Sequence, residues 1–216
     1  MIKRDELLKH IACTILDLPA NNVVRVAIDG VDGAGKTVFG DEISRFLEPS
    51  GRQVIRASVD SFHNPRSIRY KLGASSPEGF FRDSYNYEAL VARLLKPLGS
   101  HGTRHFYRAA FDHRTDKAIL PAEEYAESDA ILVFDGIFLH RPELKAYWDF
   151  SIFLDVDFDV SIPRGAQRGE GSADPWAPSN RRYIEGQKIY LSECNPKLYA
   201  TAVINNEDLE KPYIVK

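Results

Sequence analysis

Val23-Val-Arg-Val-Ala-Ile-Asp29-Gly30-Val-Asp-Gly-Ala-Gly35-Lys36-Thr37-Val-Phe-Gly-Asp-Glu-Ile-Ser-Arg-Phe-Leu47 sets the architecture of this chain. Val23 to Asp29 is a β-branched run short enough to be a buried parallel strand, and the apolar residues return at helical spacing from Val38 to Leu47. Between them Gly30 to Thr37 fits G-x-x-x-x-G-K-[ST], and strand, glycine loop and helix in that order is the context the motif requires. The physical reading is a phosphate cradle. Glycines let backbone N–H groups wrap the phosphates, the helix N-terminus adds partial positive charge, Lys36 reaches the β- and γ-phosphates and Thr37 ligates Mg²⁺. Gly30, Gly33, Ala34, Gly35, Lys36, Thr37 and Val38 are therefore candidate nucleotide-binding residues.

Further strands are expected at Gln53 to Val59, Ala130 to Asp135, Phe150 to Val156 and Ala200 to Ile204. A helix is expected over residues 2 to 18, where Leu7, Leu8, Ile11, Ile15 and Leu18 share a face and Pro19 ends the pattern; another is expected over Tyr87 to Leu98. Strands alternating with helices imply βαβ units. The expected class is α/β: a three-layer P-loop NTPase sandwich with a mostly parallel five-stranded sheet and helices on both faces. A length of 216 residues fits a single domain, 1–216, with its N-terminal helix in 1–19. Asn64 to Ser84 and Gly165 to Asn180 are rich in Gly, Pro, Ser and charge, and both follow strand ends. They read as functional loops, one on the acceptor side over about 64–84 and a lid over about 160–180.

Composition narrows the options. A net charge of −3 gives no basic excess of the kind a nucleic-acid backbone demands, so no nucleic-acid partner is expected. Cys13 and Cys194 form no metal spacing and suit a reducing compartment; no apolar run approaches a membrane span. A soluble cytoplasmic protein with small-molecule partners is the expectation, with self-association into a homo-oligomer left open. His101, His105, His113 and His140 make no H-E-x-x-H or related pattern, so Mg²⁺ accompanying ATP is the expected metal.

The acids come next. Asp135 ends the apolar strand Ile131-Leu-Val-Phe-Asp135 and is either a second metal-associated residue beside Thr37 or the start of a turn at Gly136. Asp60, in Ser58-Val-Asp60-Ser-Phe62, is either a base that accepts a hydroxyl proton or a turn cap. Arg164 and Arg168 lie four apart and share a helix face, as lid cations or as a solvated basic surface. Phe80, Phe81, Tyr85 and Tyr87 either stack on a ligand or anchor their segment to the core.

In this order the motifs resemble the uridine kinase and phosphoribulokinase group of P-loop kinases, over nearly all the chain after the first helix. Gly30 to Thr37, Asp60-Ser-Phe62, Tyr107 with Asp112-His113-Arg114, Val133-Phe-Asp135-Gly136-Ile137 and Arg164 to Arg168 carry the likeness. The resemblance implies transfer of the ATP γ-phosphate to a hydroxyl, with a nucleoside such as uridine or cytidine as acceptor. It further implies that Asp60 is the general base, Asp135 the metal-associated acid and Arg164 and Arg168 the lid arginines. Phe62, Asp83, Tyr107, His113 and Arg114 fall with Asp60 on the acceptor side, and Asn205 falls beside the adenine. Some positions depart from the uridine kinase pattern: Asp135 stands where glutamate is usual, His63 where tyrosine follows Asp-x-Phe, and Gly169 where aspartate follows the lid arginine. Sugar-kinase-like and pantothenate-kinase-like relatives are thus the alternatives. Thymidylate kinases write their P-loop as Asp32 to Thr37 does, but their Asp-Arg-Tyr or Asp-Arg-His segment is missing. A nucleotide-hydrolysing switch is the alternative of another class, and no Asn-Lys-x-Asp segment for guanine is present.

Overall fold

A computed structural model describes residues 3–19, 21–167, 169 and 171–216. The chain runs through α1 (Arg4–Leu16), β1 (Val24–Gly30), α2 (Lys36–Leu47), β2 (Val54–Ser58), α3 (Arg66–Arg69), α4 (Pro77–Asp83) and α5 (Tyr87–Leu90). Four two-residue strands follow, β3 (His105–Phe106), β4 (Phe111–Asp112), β5 (Lys117–Ala118) and β6 (Glu124–Tyr125), and then β7 (Ile131–Asp135) and β8 (Phe150–Asp155). The chain continues with α6 (Phe158–Gln167), α7 (Pro178–Cys194), α8 (Pro196–Tyr199), β9 (Ala202–Asn205) and β10 (Tyr213–Ile214).

The main sheet has the order β10-β9-β8-β1-β7-β2. Its five expected strands are parallel, and β10 adds a sixth, antiparallel through Tyr213↔Asn205 and Ile214↔Ile204. The five-strand expectation is corrected on that point: a two-residue, exposed edge strand leaves no periodic trace in a sequence. Alternation along each strand serves two faces, because successive strand side chains point opposite ways. Val24, Val26, Ile28, Ile131, Val133, Ile152 and Leu154 pack under α1 and α2, against Leu8, Ile11, Phe39 and Ile43. Ala27, Leu132, Phe134 and Phe153 face the other way, toward Leu90, Leu94, Phe81, Phe138 and Tyr190. Each such fully buried aliphatic or aromatic side chain contributes roughly 1.5–3 kcal/mol relative to exposure.

The helices depart from expectation in three places. The 64–84 stretch is not one loop: it holds α3 and α4, and α4 starts with Pro77 behind an N-cap Ser76 whose hydroxyl accepts from the Gly79 N–H. Beyond α5 the helix widens to π geometry over Val91–Leu95. Pro97 explains this: it brings no N–H and its ring crowds the carbonyl four residues back, and the Arg93 carbonyl accepts instead from the Tyr107 N–H at 3.0 Å. Finally, α7 begins inside the expected lid and spans 17 residues. Its buried face carries Asn180, Arg182 and Gln187 among its apolar residues, so apolar periodicity does not reveal it.

Candidate active site

β1 ends at Gly30 and α2 begins at Lys36, so the loop between them lies at the carboxyl edge of the sheet. The strand order reverses about β1, which has β7 on one side and β8 on the other, and the crevice at such a switch point is where open α/β sheets bind ligands. Gly35 is the N-cap of α2 at φ 93°, no side chain caps the helix, and no acid stands in its first turn. Its leading N–H groups and dipole are thus offered to an anion. Gly33 is fixed by space as well as by its φ of 75°: a Cβ there lies 2.0 Å from the Ser161 carbonyl oxygen of α6. Lys36 Nζ donates to the Val31 carbonyl at 2.8 Å, curling back over the loop.

Register brings the acids to this edge. Ile28 of β1 and Ser58 of β2 both pair with Asp135, the last residue of β7. Asp135 shares the parity of Ile131 and Val133 and so points toward α2, where it accepts from Thr37 Oγ1 at 2.9 Å. Its other oxygen accepts from Arg56 Nη2 at 2.8 Å, and it is only 3% exposed. Arg56 also donates to the Val133 carbonyl at 2.7 Å and pairs with Asp41 at 3.1 Å. Gly40 on α2 makes room, since a Cβ there lies 2.7 Å from Arg56 Nη2.

Asp60 follows β2 in a 3₁₀ turn, Val59–Phe62, whose N-cap is the Ser58 hydroxyl. The Asp60 carboxylate accepts from Tyr85 Oη at 3.2 Å, and burial, reinforced by Asp60, holds that phenol well above its ordinary pKa, as a donor. The Asp60 carbonyl meets His63 Nδ1 at 2.8 Å. The His63 ring lies 4.5 Å from Tyr85 and 4.8 Å from His113, centroid to centroid. Burial lowers the His63 pKa, against the pull of Asp60 and with help from His113 and Arg69. Gly33, Gly35, Lys36, Thr37, Asp60, Tyr85 and Asp135 line one polar cleft of about 90 Å³.

Other expected residues fall elsewhere. Phe62 is fully buried in the core, so the expectation that its ring contacts an acceptor is corrected: it anchors the turn. Val38 is exposed and lies outside the cleft lining. Tyr107 donates to Glu123 at 3.1 Å, likewise outside the cleft lining. Asp83 ends α4, and its carbonyl accepts from Asn64. Arg114 is exposed at the β4–β5 turn, next to His113. Arg164 donates to the Asn206 carbonyl at 3.0 Å and to that of Glu207, which ties α6 to the loop after β9; Arg168 lies outside the described residues. Asn205 accepts from the Glu207 N–H, while the buried Asn206 donates to the Ala34 carbonyl at 2.8 Å and accepts from Arg4 at 3.0 Å. Among the described residues no group of three or more His, Cys, Asp or Glu is placed to hold a metal, and no helix is long and apolar enough to cross a membrane.

Behind the loop sits a network that sequence reasoning missed. Asp29 is wholly buried; its carboxylate accepts from the Gly30 N–H at 2.7 Å, the Leu139 N–H at 3.1 Å, His140 Nδ1 at 2.7 Å and Tyr190 Oη. His140 Nε2 is 3.0 Å from Ser151 Oγ. The series has the order of a nucleophilic triad, but Ser151 is 5% exposed, so the network braces β1 rather than attacking a substrate. Gln187 of α7, also buried, accepts from the Asp32 N–H at 2.6 Å. The signals for these residues are polar letters inside apolar runs, Asp29 in β1 and Arg56 in β2.

Residues 25–171, more than half of the chain, match the model of the family described as Phosphoribulokinase / Uridine kinase family. A curated uridine kinase of Ligilactobacillus salivarius (strain UCC118) is 27% identical over 154 residues, 68% of this chain and 67% of that protein. A solved structure titled as a possible uridine kinase from Bacillus stearothermophilus is similar with TM-score 0.71 and 22% identity, over 91% of this chain and 96% of that one. A second, titled as a putative fructose transport system kinase from Silicibacter sp. TM1040, has TM-score 0.68 and 20% identity, over 89% and 95%. At those identities the two structures speak for the fold.

Proposed function

Because the chain belongs to the phosphoribulokinase / uridine kinase family and is an ATP-dependent kinase of small metabolites, we propose that it phosphorylates a hydroxyl of a nucleoside such as uridine or cytidine. The observation that carries transfer to a hydroxyl is that one cleft joins the phosphate loop, the Thr37–Asp135 pair and the Tyr85-held Asp60.

Each residue then has a role. The open N-terminus of α2, with Gly33, Gly35 and Lys36, binds and orients the β- and γ-phosphates. Asp60 accepts the proton of the acceptor hydroxyl, and the neutral Tyr85 phenol holds that carboxylate in place. Most of the rate comes from alignment and charge stabilisation, since phosphoryl transfer asks for little covalent help. Oxygen donors from Thr37 and Asp135 suit Mg²⁺, which is held by one or two protein groups together with phosphates and water. Bound there, Mg²⁺ would supply positive charge to offset that of the phosphates. Arg164, on α6 beside the loop, is the candidate lid cation, and Arg168, four residues later in the sequence, is the second candidate.

A sugar acceptor is the second reading. His63 after Phe62, where uridine kinases place tyrosine, and the name of the Silicibacter neighbour favour it. ADP release from Mg·ATP, screened against uridine, cytidine, fructose, ribose and pantothenate, tests both. Stimulation by a nucleoside supports the first reading, stimulation by a sugar the second, and a rate that none of the five compounds changes refutes both.

A further inference from the structure

Arg182 is a charged residue on a helix, 7% exposed, and its partners are unusual. Its guanidinium donates to the carbonyls of Ala74 at 2.7 Å and Arg69 at 3.2 Å, and it lies over the Tyr70 ring at 4.7 Å and the Phe80 ring at 5.7 Å. No acid pairs with it among the described residues. The burial of such a cation is compensated by several carbonyl oxygens at once, which a planar fork of donors reaches and a single ammonium does not. The segment it holds, residues 69–74, is mostly exposed and makes few other backbone contacts with the body of the protein.

That segment reaches the candidate base through a continuous series of contacts. Arg69 pairs with Asp116 at 3.2 Å, and the same carboxylate oxygen accepts from the Arg66 N–H at 2.9 Å. Asp116 closes the β4–β5 turn that carries His113; His113 lies against His63, and His63 meets the Asp60 carbonyl. Five positions along α7 from Arg182, Gln187 holds the Asp32 N–H of the phosphate loop. One helix therefore touches both the acceptor-side segment and the donor-side loop.

We propose that Arg182 is a positioning residue for the acceptor: it clamps residues 69–74 onto α7 so that the His63–His113 wall stands at a fixed distance from the phosphate loop. The proposal rests on the kinase reading above, and its test separates the two. Arg182→Ala and Arg182→Lys are made in the full chain, with Lys keeping the charge and most of the stem. Three quantities are measured: KM for the acceptor found in the screen, Kd for ATP, and the rate of tryptic cleavage after the exposed Lys71. Loss of several charge-assisted hydrogen bonds predicts an acceptor KM raised about tenfold or more in both variants, an ATP Kd within about twofold of wild type, and faster cleavage at Lys71. An unchanged acceptor KM in either folded variant overturns the proposal, as does a parallel loss of ATP affinity, which is what general loosening of α7 produces. If the wild-type chain phosphorylates nothing in the panel, the nucleoside and sugar readings have failed. The cleavage rate then stands alone, and an unchanged rate overturns the clamp.

Discussion

Replacing Arg56 by Met removes the cation beside Asp135 while keeping an unbranched stem. Asp135 is 3% exposed and its carboxylate has two side-chain partners, Thr37 Oγ1 and Arg56 Nη2. Breaking a fully buried ion pair costs about 3–5 kcal/mol, because the remaining charge is left without compensation. The Arg56 side chain is 23% exposed, and water reaching the site reduces that figure to roughly 2 kcal/mol. For a chain of this length about 1 kcal/mol moves the melting temperature by roughly 2–4 °C, so Arg56→Met should melt about 4–8 °C below wild type without nucleotide or divalent cation. Differential scanning calorimetry reads this directly. A variant that melts within about 1 °C of wild type, with an unchanged unfolding enthalpy, refutes the view that Arg56 compensates the buried acid.

Other expectations follow from the same geometry. Asp60→Asn should leave ATP affinity intact and lower acceptor-dependent turnover by roughly 10², as loss of a general base does; a fully active variant removes Asp60 from that role. Gly33→Ala forces a Cβ at φ 75° to within 2.0 Å of the Ser161 carbonyl, so α6 must retreat. Left-handed backbone alone costs about 1–2 kcal/mol, so calorimetric titration should find ATP binding about tenfold weaker or worse, and unchanged affinity contradicts the packing. His63 makes a pH prediction. Its folded pKa lies below the ordinary value because it is buried, so the unfolded chain takes up the proton first as pH falls, and stability is lost from about pH 6.5 downward. Urea denaturation at pH 7.5 and 5.5 should show a smaller difference for His63→Asn than for wild type, and an equal difference counts against it.

The fold was legible where local chemistry and apolar pattern agree. Val23 to Leu47 names strand, loop and helix by itself, and the five parallel strands follow from short β-branched runs. Pattern failed where polar residues hold the structure. α7 turns Asn180, Arg182 and Gln187 inward, so its buried stripe does not look apolar. β10 is too short to show a period, and Pro97 widens the end of its helix in a way no apolar spacing records. At the candidate site, the loop and the two aspartates could be read from motif and strand end. Their partners could not, because Tyr85, Arg56 and Gln187 arrive from distant segments through tertiary packing. Phe62 misled because it sits within the motif: adjacency to Asp60 along a 3₁₀ turn sends its ring into the core while the carboxylate faces the cleft.

The most direct test follows the label. Protein incubated with Mg²⁺ and ATP carrying labelled γ-phosphate, together with uridine or cytidine, should move the label onto the nucleoside hydroxyl, with ADP and phosphorylated nucleoside formed one for one. Label found only in inorganic phosphate, at a rate the nucleosides do not change, contradicts the account.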